Sequence, residues 1–537
     1  MSSALFVTLV LGAVIGLALI AKRLNLPYPV AFVIGGAALA FIPDVPHFSL
    51  NPDWVFLLIL PPLLFGAGWS TDWIEFKRNL RPIGLLAIGL VVFTTVIVAV
   101  AAHTLPTIAL PWPLAFALGA IVAPPDAIAA ESVFARLRIP NRIAAILSGE
   151  SLVNDASALV LYRFAIAAVV TGTFSLGKAL GAFVIVTLGG IAVGFLVAQA
   201  ILAVYRLLQA RSLNDATIVN MVSLVAPYAA YLPAEGLHVS GVLSTVTAGI
   251  YLGRRSAQVL DSESRVVGVA VWEVLMFALN GFVFIVIGLQ LPSIVQSLVV
   301  SPQRLALSAL FISVLVILIR IVWVFPATYL PRALSKKLRE HDPAPTWRQT
   351  AIIAWTGMRG IISLAAALAI PFTMRGDYGG RVPIVGRDEI IFITFCVIFA
   401  TLVIQGCTLA PLIRWLGIAE TSSRVRDETQ VRIQALEAGV ARLRDLETTF
   451  DTSTQWSVAG RILAEYEQRI EHLRGHLEAD SDFGAARPAN AVDHQLQSEA
   501  LSAERMKILE LRRTGRIRDE IFRNIQYDLD LADIRLR

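Results

Sequence analysis

From Ala4 to Leu416 the chain is a close succession of apolar stretches, each about long enough to cross a bilayer, joined by short polar loops. A hydrocarbon core of roughly 30 Å asks for ~20 apolar residues per helix, with shorter pieces tolerated beside a protein-lined cavity. By that rule about thirteen spans are expected, near residues 4–21, 29–43, 53–69, 81–103, 112–133, 146–172, 179–205, 215–232, 239–253, 268–290, 304–330, 347–371 and 388–416. Such a chain cannot close as a water-soluble globule, and its 56% hydrophobic content and mean hydropathy of +0.69 agree. The first run, Ala4–Ala21, has no basic residue before it and Lys22-Arg23 after it. That is the charge order of a spanning helix, not of a cleaved leader. Beyond Gly417 the composition turns charged and polar. Two parts are therefore expected: a transmembrane domain over 1–417 and a helical cytoplasmic tail over 418–537, regulatory or dimerising.

An odd number of spans puts the two ends on opposite faces. Alternate loops carry about eighteen lysines and arginines, from Lys22 and Arg23 through Lys77, Arg136, Arg138, Arg206 and Arg254 to Arg348. The opposite loops carry about five: Lys178, Arg304, Arg375, Arg381 and Arg387. The basic set belongs in the cytoplasm. The N-terminus is then outside a bacterial-type inner membrane and the tail inside. Cys396 and Cys407 share one apolar segment, where core packing is their expected role.

Spans seven places apart resemble each other. Spans 2 and 9 are both short, and spans 5 and 12 are both interrupted, by Ala-Pro-Pro-Asp-Ala at 123–127 and Gly-Met-Arg-Gly at 357–360. An offset of seven reverses orientation in the membrane. This is the pattern of two inverted repeats whose broken helices cross at a binding site. Pro124 and Pro125 remove two amide donors and should open the helix there, as Gly357 and Gly360 should open its counterpart. A carboxylate suits the positive N-terminal end of a half-helix and a cation its C-terminal end. Asp126 and Arg359 stand at the two breaks, one of each sign. An ordinary proline kink would not require either charge.

Charges in the bilayer interior cost ~2.5–3.5 kcal/mol or more and call for a reason. Asp126, Glu150, Asp155, Arg163, Glu273, Arg320 and Arg359 all lie within expected spans. The densest group is Glu150-Ser151-Leu152-Val153-Asn154-Asp155. On a helix Glu150 and Asn154 share a face, and Ser151 and Asp155 share another about 100° away. Carboxylate, hydroxyl and backbone carbonyl oxygens are what a hard cation such as Na⁺ prefers. Asp155, Asp126 and Ser151 are accordingly the expected Na⁺ ligands, with Asn154 beside them. Asp155 could then hold a proton or a cation in turn, and competition for one carboxylate is itself a coupling mechanism. Arg359 is expected to pair with Glu150, as a brace or as a purely structural ion pair. Arg163, Arg320 and Glu273 read as structural or interfacial.

These residues resemble the bacterial sodium/hydrogen exchanger family of monovalent cation:proton antiporters. The likeness is carried by Pro61-Pro62-Leu63-Leu64-Phe65, Pro124-Pro125-Asp126-Ala127, Glu150 to Asp155, Trp355-Thr356-Gly357-Met358-Arg359-Gly360, and Gln405-Gly406 with Leu409-Ala410-Pro411-Leu412. The resemblance implies a thirteen-helix inverted-repeat fold, a homodimer, and alternating access by movement of a transport core. It implies Asp155 as the exchanging carboxylate, with Asn154, Ser151 and Asp126 around it. The Asn154-Asp155 pair is similar to the branch taken as electroneutral. Two positions depart from the pattern: Pro125 stands where threonine is frequent, and Gly66 where an acid is frequent. The implied function is secondary exchange of Na⁺ or Li⁺ for H⁺. A K⁺/H⁺ or non-selective exchanger on the same fold is the alternative. No enzymatic step and no cofactor beyond the transported ions are implied, and the expected surroundings are lipid rather than nucleic acid. An intramembrane aspartyl protease could use Asp126 and Asp155, but it has no role for Glu150, Asn154 or the arginine break. No phosphate-binding loop sequence points to ATP-driven pumping.

In the tail, Ile433, Leu436 and Val440, then Ile462, Tyr466 and Ile470, recur at helical spacing and predict two amphipathic helices. A break is expected over Ser481–Asn490, then a last helix from about Leu496 carrying Ile517, Ile521, Ile525 and Leu529.

Overall fold

The computed structural model describes residues 3–42, 52–134, 137, 139–171, 176–213, 215–298, 301–375, 381–418, 423–447, 452–479, 499–500, 502–511, 525–526 and 529. The chain divides into two compact units, Met1–Ala419 and Glu420–Arg537.

Helix dominates the first unit. In chain order the principal helices are α1 (Ser3–Arg23), α2 (Tyr28–Leu39), α3 (Pro52–Trp69), α4 (Leu80–Thr104), α5 (Trp112–Val122), α6 (Ile128–Phe134) and α7 (Asn141–Thr171). They continue with α8 (Leu176–Ala210), α9 (Ala216–Gly236), α10 (Gly241–Val259), α11 (Ser262–Leu289), α12 (Pro302–Leu334), α13 (Trp347–Trp355), α14 (Ile361–Leu368) and α15 (Arg387–Leu416). Among the described residues eight helical segments are long and apolar enough to cross a membrane. The other apolar helices are short or interrupted, as a length criterion would miss in any chain whose spans break beside a cavity. The expected all-helical architecture has one departure. Thr373–Arg375 pairs antiparallel with Arg381–Pro383 in a small hairpin before α15. Gly386, with φ at 98°, and Gly417, at 63°, then bound α15 at its two ends. Both lie in the left-handed region that glycine enters without steric cost.

The helices sort into two sets by their closest packing. In one, α2 lies along α11, and α10 lies along both α3 and α8; in the other, α5 lies along α4 and α7, and α12 along α15. Small residues allow these approaches where lipid gives no hydrophobic drive. A Cβ at Gly36 would run into Ile285 O of α11, one at Gly288 into Val33 O of α2, and one at Gly119 into Thr95 O of α4. Prolines are accommodated within helices as well. Pro61 and Pro62 follow a wide π-type turn at Val55–Ile59, and such turns absorb a missing i→i−4 bond. His103, at the end of α4, is stitched in: Nδ1 lies 2.8 Å from Leu110 O and the ring stacks on Trp112.

In the second unit, helices Ser423–Glu447 and Ser453–Ala479 pack together through Ile433, Val440 and Ile470, with Leu436, Leu463 and Tyr466 against them. Leu463 takes the packing place expected of Ile462. The expected break at Ser481–Asn490, and Ile517 and Ile521 of the last helix, lie outside the described residues.

On the face of the basic loops, Asp342 clips the second set together. Its carboxylate binds Arg142 of α7 and Arg332 of α12, each at 2.5 Å, and Arg142 Nε also donates to Asn79 Oδ1 at 3.2 Å. Partial burial pushes the Asp342 carboxyl up, but the hydrogen bonds and charges of the two arginines outweigh it and hold the group below its ordinary value. The clip therefore contributes in full above the ordinary Asp value of ~3.9 and is lost as pH falls past the lower, folded value. Asp342→Asn should cost about 1 kcal/mol at neutral pH, the scale of a partly exposed network. Thermal unfolding in detergent should show that difference shrinking towards zero as the medium is acidified to about pH 3.

Candidate functional site

The two interruptions meet. α5 ends at Val122 and α6 begins at Ile128, while α13 ends at Trp355 and α14 begins at Ile361. Backbone groups freed by the breaks are taken up by the crossing segment and by α15. Asp126 N–H donates to Met358 O at 2.7 Å, and Arg359 N–H donates to Thr401 Oγ1 of α15 at 3.2 Å. The charges complement the half-helix ends. Asp126 Oδ1 accepts from Ile128 N–H at 2.9 Å, at the start of α6, and the Arg359 guanidinium donates to Ala123 O at the end of α5. Gly360 is required for this crossing, because a Cβ there would collide with Asp126 Oδ2. Pro125, which lacks a hydroxyl to offer, contributes its carbonyl, accepting from Asn154 Nδ2 at 2.8 Å.

α7 brings the third component. Ser148, Ser151, Leu152 and Asp155 stand at intervals of three, four and seven and share one face. That face lines a cavity of about 60 Å³ together with Pro124, Asp126, Glu131, Gly360 and Ser363. The other side of this cavity is α3, through Leu60, Leu63, Leu64 and Ala67. The cavity thus lies between the two helix sets. Asp155 is only 7% exposed at its wall. Ser151 Oγ accepts from Ala127 N–H at 3.3 Å, which fixes α7 to the break. Three carboxylates, hydroxyls and opened backbone make an oxygen-rich surface suited to a hard monovalent cation.

The opposite face of α7 is a brace. Glu150 is bound by Arg320 of α12 through both oxygens, at 2.5 and 2.8 Å, with both side chains 1% exposed. This replaces the expected Glu150–Arg359 pair. Arg359 is committed to the α5 terminus, whereas the Arg320 side chain passes Gly357, where a Cβ would sit 2.7 Å from its Cδ. Arg320 also donates from Nε to Ile353 O at 3.1 Å. Asn154, expected among the ion ligands, is fully buried on this braced side and is not on the cavity wall. Arg163 pairs with Glu235 of α9 at 2.9 Å.

Sequence reasoning passed over Glu131, Ser148, Ser363 and the role of Arg320. The signal for Ser148 was present, seven residues before Asp155. That for Glu131 was an acid five residues past Asp126, in an otherwise apolar run.

The family described as sodium/hydrogen exchanger, transmembrane, matches residues 9–415. The chain belongs to the sodium/hydrogen exchanger family. It is 30% identical to the Na⁺/H⁺ exchanger YjcE of Escherichia coli (strain K12), over 99% of this chain and 98% of that one. It is 29% identical to the sodium, potassium, lithium and rubidium/H⁺ antiporter of Bacillus subtilis (strain 168), over 96% and 75% of the two chains. The fold matches that of the sodium proton antiporter MjNhaP1 of Methanocaldococcus jannaschii with a TM-score of 0.60, at 18% identity, over 76% of this chain and 97% of that one. As a member of this family the protein is a multi-pass membrane antiporter of cations and protons.

Within this exchanger fold, breaking the brace should be costly. Glu150→Gln leaves the Arg320 charge buried without its counter-charge, a loss of about 3–5 kcal/mol. The variant should give little monodisperse protein in detergent size-exclusion profiles. Replacing Arg320 by Met in the same chain should recover much of the yield, since removing both charges removes the unpaired one.

Proposed function

We propose that the chain exchanges Na⁺, and Li⁺ in its place, for H⁺, with Asp155 as the carboxylate that both ions occupy in turn. The observation that carries this reading is the placement of Asp155 on the wall of a small cavity, facing the crossed breaks and Asp126. Asp155 has a short hydroxyl neighbour, Ser151, one helical turn away on the same face. Asp126, Asp155 and Ser151 supply the oxygen ligands, and the opened backbone at Pro124 borders them.

Because a proton and a cation exclude each other from Asp155, each passage of one requires release of the other, and no separate coupling device is needed. Asp126 is held at the half-helix start by the Ile128 amide, which keeps it in place as a ligand. Asn154, beside Asp155, cannot carry a second charge, which supports electroneutral one-for-one transport. The two helix sets move relative to each other to alternate access, in a homodimer built on inverted repeats. The basic-loop face and the tail are cytoplasmic, and the N-terminus is external, in a bacterial-type inner membrane. The tail helices dimerise or regulate.

Broader selectivity has support of its own, since a relative of 29% identity is named for sodium, potassium, lithium and rubidium. Reconstituted vesicles with an imposed pH gradient, given Li⁺, Na⁺, K⁺ and Rb⁺ in turn, decide between the two. The proposed order has Li⁺ and Na⁺ well ahead of K⁺ and Rb⁺; equal rates would establish the broad exchanger instead. Clamping the voltage with an ionophore should leave the Na⁺ rate unchanged if transport is electroneutral. Asp155→Asn should abolish exchange in the same vesicles while keeping a wild-type elution profile. Continued Na⁺-driven alkalinisation by that variant would remove Asp155 from its assigned role.

A further inference from the structure

Resting on the exchange reading above, we infer that Glu131 is an entry carboxylate that gathers the cytoplasmic cation for Asp155. Glu131 lies in α6, on the wall of the cavity that holds Asp126 and Asp155. Ser148 Oγ of α7 donates to its Oε1 at 2.7 Å. Ser148 precedes Asp155 by seven residues, or about 10 Å along the helix. The direction is towards Asn141, where α7 starts beside Arg142 and the Asp342 clip. The Glu131–Ser148 pair therefore marks the mouth of the cavity on the basic-loop face, and Asp155 its deep end. Exposure follows the same order: Glu131 is exposed, Ser148, Ser151 and Asp126 are half-buried, and Asp155 is 7% exposed.

The paired acids of this fold show what a framework carboxylate looks like. Glu150, Glu235 and Asp342 are each held by an arginine. Glu131 has no basic partner among the described residues, and its polar contact there is a neutral hydroxyl. Much of the surrounding wall is Leu60, Leu63, Leu64 and Ile361. An unneutralised carboxylate on such a low-dielectric wall focuses its field into the cavity and raises the local cation concentration. The α3 residues on this wall include no acid. Position 66 is glycine, and a Cβ there would point at Met276 Sδ of α11, 2.8 Å away, rather than into the cavity.

Sidedness separates this role from a structural one. Everted membrane vesicles present the cytoplasmic face, and right-side-out vesicles the other; NaCl is titrated onto each. In everted vesicles Glu131→Gln should raise the half-saturating Na⁺ concentration about three- to tenfold, with the maximal rate nearly kept. Glu131→Asp should restore most of the affinity. In right-side-out vesicles the half-saturation should stay at the wild-type value. Unchanged half-saturation in everted vesicles, an equal rise on both faces, or failure of Glu131→Asp to rescue would each overturn the inference. Wild type and Asp155→Asn, run in parallel, keep the two readings apart. Active wild type with a silent Glu131→Gln overturns the entry role alone, whereas inactive wild type overturns the exchange reading beneath it.

Discussion

In the bilayer interior every backbone N–H and C=O has to be satisfied within the protein, and a helix broken there creates a deficit that water cannot meet. The bond from Asp126 N–H to Met358 O is the answer this chain gives: one break supplies the donor that the other lacks. The guanidinium of Arg359 does the same for Ala123 O, at the end of α5. Neither interruption would be tolerable alone at membrane depth. The pairing also determines which residues can stand between them. Only a residue without a Cβ fits at Gly360 beside the Asp126 carboxylate, and only a long cation reaches from position 359 to the end of α5.

A site proposed to hold two different ions in turn needs ligands that do not shift when one is exchanged for the other. α7 meets that need by separating its polar residues onto two faces. Glu150 and Asn154 tie it to Arg320 and to Pro125 O, while Ser148, Ser151 and Asp155 face the cavity. The braced face is buried and charge-paired, so the facing residues are carried on a rigid element rather than on a loop. Asn154 illustrates how a residue inside an ion-site motif can serve by position. Its amide fixes the carbonyl of the opened span next to the site.

Local signals were legible in the sequence and long-range partnerships were not. Paired prolines, and charges inside apolar runs, act on their own segments, so both breaks and the placement of Asp126 and Asp155 beside them could be read directly. Helical spacing likewise placed Ser151 and Asp155 together, and Ile433 with Val440 in the tail. Which arginine meets Glu150 depends on how α12 and α13 pass α7, and nothing local distinguishes Arg320 from Arg359. The short hairpin ahead of α15 left no apolar alternation to notice. Glu131 was passed over because it sits close to the expected end of span 5, where an acid reads as interfacial. The fold places that position at the mouth of the cavity, where Ser148 Oγ donates to it.

The boundary between the two helix sets has the character that alternating access requires. Where it borders the cavity, the α3 side is Leu60, Leu63, Leu64 and Ala67, apolar side chains with no fixed hydrogen bonds to break as they slide. The strong polar links described at the site, Glu150–Arg320, Asp126–Met358 and Asn154–Pro125, all lie within one set. Among the described residues the ion pair that crosses the boundary from α7 is Arg163–Glu235, and its side chains are 49% and 29% exposed. That pair is far less enclosed than the brace, so parting it costs less. The energetic contrast assigns rigidity to the set that carries Asp155 and freedom to the seam beside it. The carboxylate proposed to take two ions in turn can then be presented to either face without disturbing the geometry around it.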